Sequence, residues 1–333
     1  MLRVLKSIKL SINKNSLIAT FVFVVILCLV LNPYKYLNTC YNAIIIFGKN
    51  ILPALFPFMF FSKILTSTGY VEKLSKHLNK LTSTLYRVPA ISGYIFLMSI
   101  ISGYPLGAKI TADIYEKGLI SREEAHRVCS FTSNSGPMFI VGTVGTAMLA
   151  NSKIGYILLF SHILGSLING FIYRNYVPKN NFFENKQAKE SIKTKETISD
   201  FMQNSIISCL MVGGYIVIFF VLTEVISSVG IINPLVYLLQ KIGVQADVSK
   251  GTIFGVFEIT NGCNILSTCN CSVLLKATLC SFVISFGGLA VAFQGFNFLN
   301  KFNISKKFYF AQKLTHATLS AIITFLICII FGI

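Results

Sequence analysis

The sequence predicts an all-α polytopic membrane protein, with about seven transmembrane helices and two re-entrant or broken segments arranged as an inverted repeat. Three observations predict it. Of the 333 residues 54% are hydrophobic and only 12% are charged, against roughly 25% charged in an ordinary soluble domain. Apolar runs of membrane-spanning length recur between residues 16 and 332, so lipid is the main solvent of a single membrane domain. Basic residues gather in the short segments between those runs, where Lys and Arg mark cytoplasmic loops.

The elements follow from these flanks in order. Helix 1 (16–31) is preceded by Arg3, Lys6, Lys9 and Lys14, which place the N-terminus in the cytoplasm. It is read as a span rather than a cleaved signal, because no small-residue cleavage site follows and further spans come directly after. The second run (43–65) returns to a basic segment holding Lys73, Lys76, Lys80 and Arg87. The stretch 88–103 is too short for a full crossing, breaks at Ser102-Gly103-Tyr104-Pro105-Leu106-Gly107, and has basic flanks at both ends. It is expected to enter and leave on the cytoplasmic side. Crossings 129–150 and 154–173 follow, joined by Asn151-Ser152-Lys153, and a hydrophilic cytoplasmic linker occupies 174–200. In the second half, 201–228 runs outward, 251–268 is another interrupted stretch, 272–296 returns to Lys301, Lys306 and Lys307, and 314–331 is the last helix.

The expected organisation is therefore a tail and helix 1 (1–42), a first repeat (43–173), the linker (174–200) and a second, inverted repeat (201–333). Short internal likenesses support it. Leu65-Thr66-Ser67-Thr68-Gly69 resembles Ile226-Ser227-Ser228-Val229-Gly230, Cys129-Ser130-Phe131 resembles Cys280-Ser281-Phe282, and Ser161-His162 matches Thr315-His316. Their spacings run from about 150 to 161 residues, and their order is conserved within the chain. The shorter second half is expected to lack the amphipathic stretch after Gly107.

Broken helices in inverted repeats bring unwound backbone and charged helix ends to the bilayer midplane, where a solute binds. The candidate binding residues are accordingly Ser102, Gly103, Tyr104 and Lys109 at the first break, with Ser133, Asn134, Ser135 and Gly136 interrupting the next crossing. In the second half they are Glu258, Thr260, Asn261, Gly262 and Asn264, with Gly287 and Gly288. The bland alternative is that Gly and Pro only permit kinks and close packing, while the polar side chains satisfy freed backbone groups. Ionisable residues inside spans are expensive unless paired or hydrated. Lys63 and Glu224 hold corresponding repeat positions, as interfacial groups or as a gate pair. His162 and His316 also correspond, as hydrogen-bonded packing residues or as proton carriers. Glu258 opens a polar break and is a candidate for cation coupling or substrate binding.

Several classes are excluded. The net charge of +17 comes from 29 Lys and Arg against 12 Asp and Glu, but it is spread over short loops, which fits anionic headgroups rather than nucleic acid. Nine Cys lie mostly in apolar segments, and Cys263, Cys269 and Cys271 lack the paired spacing and neighbouring His of a metal site. No cofactor is expected. Neither a nucleophile with its base nor a phosphate-binding Gly-Lys motif is present, so no enzyme is expected.

Five segments carry a family resemblance: Leu52-Pro53-Ala54-Leu55-Phe56-Pro57-Phe58, Ser102-Gly103-Tyr104-Pro105-Leu106-Gly107-Ala108-Lys109, Gly118-Leu119-Ile120-Ser121-Arg122-Glu123-Glu124-Ala125, Ser133-Asn134-Ser135-Gly136-Pro137-Met138-Phe139-Ile140 and Glu258-Ile259-Thr260-Asn261-Gly262. Across nearly the whole chain they resemble the sporulation integral membrane family called YlbJ or SpoVV. Ser135 and Cys263 depart from the small or aliphatic residues usual there. The resemblance implies a nucleoside-recognition or gate-type membrane domain in an endospore former. It also implies movement of dipicolinic acid from mother cell toward forespore across the outer forespore membrane. Expected partners are thus a small anion, dipicolinate, and membrane lipid, with a homo-oligomer left open. The competing expectation is a non-transporting scaffold for spore-envelope assembly, acting through the loop 174–200.

Overall fold

The computed structural model describes residues 14–68, 70, 73, 76–178 and 197–333. Arg3, Lys6 and Lys9, and linker positions 179–196, lie outside the described residues. Every regular element among the described residues is helical.

Helix α1 (Lys14–Leu31) meets α2 (Pro33–Ile46) at a bend of 102°. Pro33 can open α2 because the amide it lacks would have no partner in a first turn. From there α2 passes through a π-helical turn (Phe47–Ile51) into α3 (Leu52–Ser67), so the helix runs through Ala43 without a break. After α4 (Asn79–Tyr86) come α5 (Ile91–Ser102) and α6 (Leu106–Glu116), parted at Gly103. A capping box opens α7 (Arg122–Thr132): Ser121 Oγ accepts from Glu124 N, and the Glu124 carboxylate accepts from Ser121 N. Residues 133–137 interrupt the chain before a π-helical segment, Met138–Met148, and α8 (Ser152–Ile172) follows. Thr143 of that π segment donates to the Asn50 carbonyl of the earlier π turn at 3.0 Å.

The second half contains α9 (Ile198–Ser228), α10 (Asn233–Lys241), α11 (Ala246–Phe257) and α12 (Ile259–Thr268) parted at Glu258. Then come α13 (Val273–Phe286) and α14 (Gly288–Leu299) parted at Gly287 (φ 87°), and α15 (Lys306–Ile330). Each half thus contains a long helix, a helix broken into a pair, a second broken helix and a closing helix, in that order.

Four helices among the described residues are long and apolar enough to cross a bilayer: Ser152–Ile172, Ile198–Ser228, Val273–Phe302, which contains the turn at Gly287, and Lys306–Ile330. Counting the bent pair Asn15–Leu31 and Pro33–Ile51 as one span gives five, fewer than the seven expected. The shortfall has a physical source in the breaks. The crossing expected over 129–150 is cut at 133–137, and Met138–Met148 has 11 residues, well short of the roughly 20 that span the hydrocarbon core.

The interior is layered. One apolar cluster joins Phe131, Leu299, Phe302, Phe308 and Tyr309, and another joins Ile140, Leu158, Leu266, Ile284 and Cys328. Four chain segments pass from the first cluster to the second. Between the clusters they carry the polar groups Ser133–Gly136, His162, Ser285 with Gly287, and Lys313 with His316. This buried polar belt lies where the helices are broken. Helices α8 and α15 run antiparallel through it, since Gly165 meets Ser320, Asn169 meets Gln312 and Tyr173 meets Phe308.

Candidate functional site

At the first break Gly103 adopts φ 71°, which a side chain disfavours, and a methyl group there would lie 2.5 Å from Gly136 N. Glycine is therefore required twice over, once by conformation and once by the approach of the second break. The peptide Tyr104–Pro105 is cis. These contacts bring the breaks of α5–α6 and of α7 side by side.

Glu258 comes from the other half. It is buried, 4% exposed, and its carboxylate accepts from Thr260 N at 3.0 Å and Asn261 N at 2.7 Å. It caps α12, its oxygens accepting from the N–H groups at the positive end of that helix. The capping role leaves both oxygens engaged.

Gly103, Tyr104, Ser135, Gly136, Glu258 and Thr260 wall an inner cavity of about 70 Å³. Ser102, Val212 and Gln294 line it too, and they also line a larger outer cavity of about 190 Å³. The outer cavity adds Lys63, Lys109, Tyr215 and Asn297. The two cavities therefore adjoin, with the lysines in the outer one and the broken helices around the inner one. Both volumes lie below the roughly 300 Å³ at which pockets for drug-sized ligands begin. They suit a small solute.

Not every candidate residue meets these cavities. Asn134 is buried behind the break, donating to Ser99 Oγ at 3.0 Å and to the Phe131 carbonyl at 2.8 Å. Asn261 donates to Thr223 Oγ1, Gly262 packs against Gly255, and Gly288 faces the Gly255 and Phe257 carbonyls. Asn264 is half-buried further along α12, its carbonyl accepting from Ser267. Ser133 offers its carbonyl to Lys313 at 3.0 Å, and Gly287 lies against the same lysine. Glu224 pairs with Lys35 of α2 at 2.7 Å.

The histidines are fixed by bonds across the halves. Ser135 N can only donate, so His162 Nε2 accepts from it at 3.0 Å; the proton then sits on Nδ1, which donates to Ser285 Oγ at 2.8 Å. His316 Nε2 donates to the His162 carbonyl at 2.9 Å. Both rings are buried and bonded as packing residues are.

Lys313 is the group that sequence reasoning passed over. It is 0% exposed and donates to Tyr104 Oη at 2.7 Å as well as to Ser133. The apolar run alone puts the last helix at 314, leaving this lysine on its flank. The helix begins earlier because Ser305 Oγ accepts from Phe308 N, and a Ser before the run is the signal that places Lys313 two turns inside.

The fold and the cavities define a class: a polytopic helical membrane protein whose broken helices enclose a small interior site. Within it, the chain is 29% identical over 336 aligned positions to the Sporulation integral membrane protein YlbJ of Bacillus subtilis (strain 168). The alignment covers 93% of this chain and 82% of that relative, and it supports assignment to the YlbJ family. No family model matches the chain, and no solved structure matches it.

Proposed function

We propose that the protein carries a small organic anion across a membrane during sporulation, and that the anion is dipicolinate. One observation carries the proposal: breaks from both halves wall one inner cavity, and that cavity adjoins an outer one holding Lys63 and Lys109. A dicarboxylate presents two anionic groups, and two ammonium groups at the entrance attract it before it meets the N–H groups and hydroxyls of the breaks. The charge of Glu258 opposes an anion less than its place suggests, because the end of α12 balances it.

In this proposal the halves are oppositely oriented repeats with the N-terminus in the cytoplasm, and the membrane is the outer forespore membrane. The contact of His162 with His316, ring centroids 4.7 Å apart, supports the repeat. Residues at matching positions meet where a two-fold relation between halves passes. The name of the Bacillus relative supports the sporulation setting.

The test is uptake of labelled dipicolinate by proteoliposomes. Wild type is expected to accumulate it, and Lys63→Gln with Lys109→Gln to reduce uptake tenfold or more, about 1.4 kcal/mol in binding. If the pure protein neither binds nor moves dipicolinate, the proposal is lost. A scaffold acting through 174–200 would instead leave spores of the double variant with normal dipicolinate.

A further inference from the structure

Lys313 poses an electrostatic problem. Its ammonium is fully buried, and it takes part in none of the ion pairs that Lys35, Arg127 and Lys301 make. A charge inside a membrane domain is costly unless something of opposite sign compensates it. What compensates it here is backbone. Ser133, whose carbonyl accepts from Nζ at 3.0 Å, stands directly after the last residue of α7. Tyr104 Oη, which accepts from Nζ at 2.7 Å, donates in turn to the Ile284 carbonyl in the last turn of α13 at 3.5 Å. A methyl group on Gly287, at the end of α13, would lie 3.4 Å from Nζ.

The end of α7 thus meets the ammonium directly, and the end of α13 lies beside it and is joined to it through Tyr104. Helix C-terminal ends carry partial negative charge, which an ammonium placed beside them offsets. In transporters with broken helices such ends and unwound carbonyls hold an exchangeable sodium ion. Here the position is filled by a cation attached to the chain.

We infer that Lys313 is a built-in counter-cation standing in place of exchangeable sodium at the paired ends of α7 and α13, so that transport draws on no sodium gradient. The inference rests on the transport proposal above for its meaning. Its structural claim, a cation site filled by Lys313, is tested without substrate. Tyr104 gives the claim a functional consequence, because the same hydroxyl that bonds Lys313 belongs to a residue lining the inner cavity.

The experiment follows thermal melting of the purified full chain in sodium chloride and in choline chloride at equal ionic strength. Wild type is expected to melt at the same temperature in both. Lys313→Ala opens the site to a small monovalent cation, so this variant is expected to melt lower in choline chloride and to recover several degrees in sodium chloride. Should Lys313→Ala not be purified, Lys313→Gln, which keeps a donor and loses the charge, gives the same readout. A wild type stabilised by sodium over choline overturns the inference, and so does a variant whose melting ignores the choice of cation. Dipicolinate binding by wild type in the two salts separates the claims. Equal binding in both salts supports both, binding only in sodium sinks the counter-cation, and no binding in either sinks the transport proposal while the melting result stands.

Discussion

A side chain at Gly262 has nowhere to go. A methyl group there would run into the backbone of Gly255, leaving α11 and α12 to move apart. Gly262→Ala is expected to destabilise the protein by about 2 kcal/mol or more, seen as a lowered melting temperature, while Gly214→Ala, with open space around it, serves as the unaffected control. A Gly262→Ala protein that melts like wild type would contradict this packing. Residues of this kind were legible in the sequence as breaks but not as roles. Glu258-Ile259-Thr260-Asn261-Gly262 reads as one polar interruption, yet Glu258 and Thr260 line the cavity, Asn261 turns to Thr223, and Gly262 serves helix packing. One turn of helix sends neighbouring residues to different sides, and a motif does not say which side faces the cavity.

Among the elements, α7 owes its start to a reciprocal cap at Ser121 and Glu124. Ser121→Ala is expected to cost about 1 kcal/mol and to raise amide exchange in the first turn from Arg122; unchanged exchange there would deny the cap its role. Ser-x-x-Glu is the spacing such a cap uses, a signal that the apolar runs and their basic flanks do not carry. Helix ends governed by polar residues were harder to read. The second helix was expected from 43 because the residues before it are mixed in polarity, whereas Pro33 starts it at the bend. The breaks themselves at Gly103, 133–137, Glu258 and Gly287 stand where Gly, Pro and polar clusters put them, since these residues mark interruptions in an apolar run.

Across the whole molecule, ties between the halves cluster beyond the first apolar layer. Lys301 reaches Glu116 at 2.7 Å and Asp113 at 3.7 Å, and Arg122 donates to the Phe302 and Asn303 carbonyls. His126, outside the candidate spans, adds a tie of a different kind. Ser305 N donates to its Nε2 at 3.3 Å, and its Nδ1 donates to the Arg122 carbonyl at 2.8 Å. Burial pushes this imidazole down from 6.5 to about 4. Between those values the folded protein holds fewer protons than the unfolded chain, so the contribution is fully present above 6.5 and fades as pH falls toward about 4. Wild type is expected to melt progressively lower from about pH 7 to about pH 5, and His126→Gln to show a shallower decline. Equal slopes for the two proteins would remove His126 from the account.

The polar belt also bears on how the chain is made. Its bonds join residues far apart in synthesis: Ser135 N waits on His162, His162 on Ser285, and the Ser133 carbonyl on Lys313. A first half that has entered the bilayer alone holds a donor at His162 and an acceptor at Ser133 whose partners are still to be translated, and lipid supplies none. The polar belt is therefore complete only once α15, the helix that delivers the lysine, has been inserted. Until it arrives, the early half must keep its broken segment near water or beside the insertion machinery.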